Sequence, residues 1–286
     1  MINSIEIKNL CKEYNGFKLN NVSFTLPKGY IMGLIGPNGA GKTTTIKLML
    51  NMLRKTDGDI KIMGMDSVND QNNIKEDIGA VFDSNYFVQD WTVKEVEKSI
   101  GIFYNSWDSN KFKEMTKRFG LEPNKKVKEL SRGMQMKLMV ACAFSHDAKL
   151  LILDEPTSGL DPVARDELLD ILSEFIQNGE RSVLFSTHIT SDLDKIADYI
   201  TFINNGNIFY TGPKDDFIDG FRMVKGGMSE LNNALEKKMI GIRKFSTGFE
   251  GLIKTSDIKS FNNFTCEAVS IDEIIVFTSK GGHNHE

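Results

Sequence analysis

Cysteine is scarce in this 286-residue chain. Cys11, Cys142 and Cys266 are odd in number, lie far apart and form no CxxC pair, which argues against a disulfide framework and a zinc site and for a reduced, cytosolic chain. Charge imbalance is also missing: 35 basic against 39 acidic residues leave a net charge of −4. That balance supports neither a basic nucleic-acid surface nor an acidic tail, so no nucleic-acid partner is expected. Long apolar runs are absent as well. The longest candidates, Leu138 to Phe144 and Leu150 to Leu153, fall far short of the ~18 residues needed to cross a bilayer. The opening MINSIEIKNLCKEY alternates apolar and polar residues, as a strand does, and lacks the unbroken apolar stretch of a signal peptide. If the protein serves a membrane, another chain is expected to span it.

What remains is an ordinary globular composition, 40% hydrophobic and 26% charged, in a chain long enough for about two domains of ~150 residues. No internal repeat or low-complexity block interrupts it. Three strand-like runs open the chain, Ile5 to Lys8, Val22 to Leu26 and Ile31 to Ile35, separated by turns at Asn15-Gly16 and Pro27-Lys28-Gly29. Beyond Gly41 the apolar residues Ile46, Met49, Leu50 and Leu53 fall on one helical face.

Ile60 to Met63 and Ile78 to Phe82 read as further strands, and Thr92 to Phe119 as helical with a break near Asn105 to Ser109. Ser131 opens a helix whose middle is apolar on all sides, the pattern of a segment surrounded by protein. Leu150 to Leu153 has no polar alternation and reads as a central parallel strand. A one-sided helix through Leu168, Leu172 and Phe175, a strand at Ser182 to Phe185, and a hairpin turning at Asn204 to Asn207 follow. Strands alternating with helices predict an α/β fold. From about Phe221 the pattern weakens, although Ser270 to Phe277 carries the signal of a strand or a short helix.

The chemistry is concentrated in a few short segments. Gly36-Pro37-Asn38-Gly39-Ala40-Gly41-Lys42-Thr43 is a complete GxxxxGK[ST] phosphate loop between a predicted strand and a predicted helix. Its backbone N–H groups and the positive helix end face an anion, Lys42 reaches the β- and γ-phosphates, and the Thr43 hydroxyl suits Mg2+. Downstream, Leu150-Leu151-Ile152-Leu153-Asp154-Glu155 ends a buried strand in two carboxylates. Asp154 is placed to hold Mg2+ through water, and Glu155 to polarise an attacking water.

Leu130-Ser131-Arg132-Gly133-Met134-Gln135 precedes that pair, and Ser158-Gly159-Leu160-Asp161 and Ser186-Thr187-His188 follow it. Five ordered motifs over roughly Ile2 to Pro213 resemble the ATP-binding subunit of an ABC transporter. The resemblance implies a P-loop NTPase core with an antiparallel β portion. It places the ATP-binding domain at 1–220, with a helical insertion at about 84–149, and a small C-terminal extension at 221–286.

It also implies ATP hydrolysis with Mg2+. Catalysis would rest on Glu155, His188 and Lys42. Nucleotide contact would extend over Gly36, Pro37, Asn38, Gly39, Ala40, Gly41, Lys42, Thr43 and Thr44, with Tyr14 stacked on the adenine. In the family the signature of one subunit closes on the ATP of another, which assigns Ser131 and the Gly133 backbone to a γ-phosphate in trans and Asp161 to the dimer interface. Plainer explanations stand beside these: Tyr14 packing on the sheet, and Ser131, Asp161 and His188 as helix caps.

The sequence departs from the family pattern in two places. Arg132 and Met134 replace residues of LSGGQ, and Asp83 stands where most relatives carry a glutamine that ligates Mg2+ and senses the membrane partner. Asp83 is still a hard oxygen ligand, so the metal set reads Thr43, Asp83 and Asp154. An SRGM-type signature is similar to the ATPases of bacterial ABC-2-type exporters, implying a multi-spanning permease, a second ATPase subunit and attachment to the cytoplasmic face of the membrane. A soluble relative acting on nucleic acid or ribosomes is the alternative; the chain lacks the long coiled-coil insertion or second ATPase domain of such proteins. Asn124-Lys125 is not followed by the aspartate that reads guanine, which argues against a GTPase. His283 and His285 in the final GGHNHE read as solvated residues rather than a metal site.

Overall fold

The computed structural model describes residues 3–82 and 86–281, so Asp83, His283 and His285 lie outside the described residues. The chain folds as two compact units, Met1–Thr211 and Gly212–Glu286.

The first unit begins with two long strands, β1 (Asn3–Tyr14) and β2 (Phe17–Pro27), which turn at Asn15-Gly16 and pair antiparallel. Strand β3 (Ile31–Ile35), entirely buried, leads through the phosphate loop into helix α1 (Lys42–Met49). The expected apolar face is there, but the helix ends at Met49; Leu50 and Leu53 pack on the core from the loop beyond it. Strands β4 (Asp57–Ile62) and β5 (Met65–Asp66) complete an antiparallel sheet in the order β2-β1-β4-β5.

Helix α2 (Gln71–Asp77) and strand β6 (Ile78–Val81) precede a helical portion of α3 (Val93–Gly101), α4 (Ser109–Arg118) and α5 (Arg132–Ser145). Thr92 and Glu95 form a reciprocal capping box on α3, and Asp108 caps α4, which accounts for the helical break read near Asn105 to Ser109. In α5, Met136 and every residue from Leu138 to Ala143 are buried, so the all-round apolar stretch is matched by protein on all sides. His146 ties this helix to the sheet: its ring nitrogens lie 3.0 Å from the Cys142 carbonyl and 3.1 Å from that of Ile78, and Tyr104 stacks on it. Burial pushes the imidazole pKa down against those two contacts.

The chain then alternates through β7 (Leu150–Asp154), α6 (Pro162–Phe175), β8 (Ser182–Thr187), α7 (Thr190–Ile196), β9 (Tyr199–Asn204) and β10 (Asn207–Pro213). Asn205 and Gly206 make the expected hairpin turn, both with positive φ. The six-stranded sheet runs β10-β9-β3-β8-β7-β6, and β9, β3, β8, β7 and β6 are mutually parallel. Central β7 and β8 are buried along their whole length, as strands covered on both faces are.

The second unit starts earlier than the sequence pattern suggests, because α8 (Lys214–Asp219) buries Phe217 against Phe221 of β11 (Phe221–Gly226). Short α9 (Asn233–Glu236), then β12 (Gly241–Lys244), β13 (Phe249–Lys254) and β14 (Thr265–Glu267), complete a four-stranded sheet ordered β12-β13-β11-β14. The ambiguous final segment is helix α10 (Ile271–Gly281), with Ser270 and Glu273 bonded reciprocally at its start.

At Gly79 α5 packs tightly on the sheet, since a β-carbon there would stand 2.5 Å from that of Ala143 and 2.6 Å from a Leu151 methyl. Gly79→Ala is therefore expected to destabilise the first unit by about 1–3 kcal/mol through overpacking, read as a lower urea midpoint; an unchanged midpoint would contradict this packing.

Candidate functional site

Parallel pairing builds the site. Ile35 of β3 stands opposite Thr187 of β8, and Ser186 opposite Asp154 of β7, so three strands deliver their C-terminal ends side by side. Ligands of open α/β sheets bind at that edge. An open cavity of ≈ 570 Å³ lies there, lined by Phe17, the loop from Pro37 to Thr44, Glu155, Ser158 and His188.

The phosphate loop is held by its neighbours. A β-carbon at Gly36 would meet the Ile203 carbonyl of β9 at 2.1 Å, so only glycine lets the loop leave β3 this close to the adjacent strand. Gly41, left-handed at φ 115°, caps α1 with no side-chain hydrogen bond to its amides, which leaves first-turn N–H groups available to an anion. Lys42 is buried to 6% exposure, and its ammonium curls back to donate to the Gly36 carbonyl at 2.8 Å.

The carboxylates come from β7. Asp154, 6% exposed, accepts from the Thr43 hydroxyl at 3.1 Å and the Ser186 hydroxyl at 2.6 Å. Glu155 sits in the left-handed region at φ 51°, a conformation that costs a non-glycine residue roughly 1–3 kcal/mol. Its amide is held there by the Ser186 oxygen, which accepts at 2.9 Å. The two Glu155 oxygens are divided: one lies 3.4 Å from the Lys42 ammonium, and the other accepts from His188 Nδ1–H at 2.7 Å.

Lys42, Thr43, Asp154, Glu155 and His188 are thus brought together. Tyr14 is not among the residues lining the cavity; it stands 44% exposed with the Lys12 ammonium over its ring, and Phe17, its partner across the β1–β2 turn, lines the cavity instead. Asp161 caps α6, accepting from the Val163 and Ala164 amides at 3.0 Å each. Ser131 caps α5, accepting from the Met134 amide at 3.3 Å. The residue at the N-cap of α7 is Ile189, not His188. The Arg132 guanidinium lies against the loop after β7, 2.7 Å from where a Gly159 β-carbon would stand.

The ABC transporter family model matches residues 19–158. The chain is 32% identical over 231 residues to the ABC transporter ATP-binding protein NatA of Bacillus subtilis, covering 78% of this chain and 90% of that protein. The chain belongs to the ABC transporter ATP-binding family. It is also 32% identical over 260 residues to the bacitracin transport ATP-binding protein BcrA of Bacillus licheniformis, covering 87% of this chain and 84% of that one. A solved ATP-binding subunit of an ABC transporter superposes with a TM-score of 0.68 at 27% identity, over 76% of this chain and 91% of the other.

This ABC subunit therefore binds and hydrolyses ATP to drive transport. ABC ATPases dimerise and work with membrane permeases. Among the described residues no helix is long and apolar enough to cross a membrane.

Ser186 also belongs to the site, although in the sequence it is only one letter near the end of a strand. Only the β7–β8 register shows that its hydroxyl serves Asp154 and Glu155 at once. Ser186→Ala is expected to lower ATP turnover about tenfold by releasing both groups, with folding unchanged by circular dichroism; parental turnover would contradict that function.

Proposed function

We propose that this subunit hydrolyses Mg2+-bound ATP with Glu155 as the base, and that the output drives export through a separate ABC-2-type permease. The observation that carries the reading is the Glu155 carboxylate placed between the Lys42 ammonium and the His188 imidazole at the mouth of the phosphate loop.

The donor set fits Mg2+. Thr43 and Asp154 offer hard oxygens side by side, which suits Mg2+, commonly bound through one or two protein oxygens plus substrate phosphates. Asp83 would join this set. When bound, the ion supplies neutralisation of phosphate charge.

The chain's own groups do the rest. Loop amides and Lys42 hold the β- and γ-phosphates and counter the charge that develops on the leaving oxygens. Glu155 accepts a proton from, or orients, the attacking water. His188, holding one Glu155 oxygen, fixes the direction of that carboxylate and supports charge at the γ-phosphate. The Ser131 hydroxyl, which caps α5 through its oxygen, and the Gly133 amide in the first turn would offer donors to the γ-phosphate held by a second ATPase subunit. Asp161 would face that subunit. Phe17, which lines the cavity, is a second aromatic ring beside Tyr14 for stacking on the adenine.

Support for the permease comes from a second cavity. A largely apolar groove of ≈ 510 Å³ is lined by Met52, Ile74, Ala80, Phe82, Phe103 and Tyr104. Phe103 is 72% exposed and its chain neighbour Ile102 79% exposed, and exposed apolar residues at such a groove mark a protein-docking surface. Such a groove suits a short amphipathic segment of the permease, which would hold the subunit at the cytoplasmic face of the membrane. Export follows from the similarity of the SRGM signature to ABC-2-type ATPases, and the relation to a bacitracin transport protein is in keeping with it.

Glu155→Gln is expected to lower kcat by at least about 100-fold while ATP drives a stable dimer, visible by light scattering; turnover at the parental rate would remove Glu155 from the mechanism. Affinity purification from detergent-solubilised membranes should recover a stoichiometric multi-spanning protein. Recovery only from the soluble fraction, with ribosomes or DNA, would overturn the permease assignment.

A further inference from the structure

Asp192 is 0% exposed, yet it carries a carboxylate. It lies in the first turn of α7, but its oxygens do not serve that helix. One accepts from Arg165 Nε at 2.5 Å; the other accepts from the Thr157 hydroxyl at 2.6 Å and, at 3.4 Å, from the Thr187 hydroxyl. These donors come from three separate segments. Thr157 follows Glu155 by two residues, Thr187 immediately precedes His188, and Arg165 stands in the first turn of α6, the helix capped by Asp161.

Stability does not explain this arrangement. Burying a carboxylate costs several kcal/mol, and replacing a buried ion pair by well-packed apolar residues is often neutral or stabilising. Retaining the charge makes physical sense where geometry is being specified. The surroundings are built for that: Thr157 and Thr187 are both buried, and the Thr187 oxygen also accepts from the Ile189 amide at 2.9 Å. Arg165 also donates to Ser191 at 2.5 Å, while Lys195 of α7 pairs with Asp166 and Asp170 of α6. Helices α6 and α7 are thereby clamped on either side of the carboxylate.

We propose that Asp192 is the positioning residue that makes Glu155, His188 and the start of α6 one mechanical unit. The inference rests on the roles given above to Glu155 and His188. A shift of α6 reaches Asp192 through Arg165, and Asp192 passes it to the loop behind Glu155 and the strand end behind His188 together. The 2.7 Å contact between those two groups is thereby held in one orientation toward the phosphate loop. Asp192 itself touches no residue of that loop among its hydrogen bonds, so it acts on the chemical step and not on nucleotide affinity.

Asp192→Asn keeps the shape and removes the charge. Turnover per bound nucleotide is expected to fall about 10- to 100-fold, the size expected of a misplaced catalytic group, while equilibrium binding of a fluorescent ATP analogue changes less than about threefold. Thr157→Val should repeat the effect at smaller size, and it decides the matter alone if Asp192→Asn does not fold. Combined with His188→Ala, the loss should be at least about threefold smaller than the product of the single losses, because groups acting as a unit are not additive. Full multiplicativity, a parallel loss of ATP affinity, or parental turnover in both variants would each overturn the proposal. Parental turnover of Glu155→Gln, measured alongside, would overturn the underlying catalytic reading separately.

Discussion

Everything at this site depends on parallel pairing of β3, β8 and β7. Parallel strands point their C-terminal ends the same way, and the registers Ile35 with Thr187 and Asp154 with Ser186 place those ends within reach of one another. No segment of the site has a stable geometry alone. The phosphate loop needs a glycine at position 36 to pass the Ile203 carbonyl of β9, and Glu155 needs the Ser186 hydroxyl to hold its left-handed backbone. The apolar strands behind them supply the rigid edge on which these strained pieces rest, since fully buried β7 and β8 cannot shift without opening the core.

Polar groups at that edge are arranged in two layers. In front, Lys42, Thr43, Asp154, Glu155 and His188 line or border the cavity and remain partly available to nucleotide. Behind, Ser186, Thr157, Thr187 and Asp192 are buried: Ser186 bonds the Asp154 carboxylate and the Glu155 amide, while Asp192 gathers Thr157, Thr187 and Arg165. A fully satisfied buried network of this kind rigidifies its surroundings. It also gives the outer helices α6 and α7 a physical route to the catalytic loops, which a purely apolar interior would provide only through packing.

The parts that were legible in the sequence are those whose physics is local. A glycine-rich turn after a strand, a capped amphipathic helix and an apolar strand ending in two carboxylates each act within a dozen residues, so composition and spacing reveal them. Strand β3, helix α5 and the Asn205-Gly206 turn were readable for that reason. The second unit was not, because its strands are as short as the three residues of β14 and their partners lie far along the chain. Tyr14 and Phe17 illustrate the same limit: both are aromatic and close in sequence, and only the position of the turn between them decides which one lines the cavity.

The sequence by itself determined the chemistry available: a phosphate loop, a pair of carboxylates, a histidine and a capped signature helix, in an order that specifies an ATP-hydrolysing transport subunit. It could do so because each motif is a contiguous segment whose residue types are dictated by the group it must hold. Tertiary structure alone decided how those segments meet. The Ser186 contacts span 31 and 32 residues and the Asp192 contact with Thr157 spans 35, so neither is visible in local spacing. Such pairings are set by strand register and helix packing, which depend on the burial of the whole core and on no single stretch of chain.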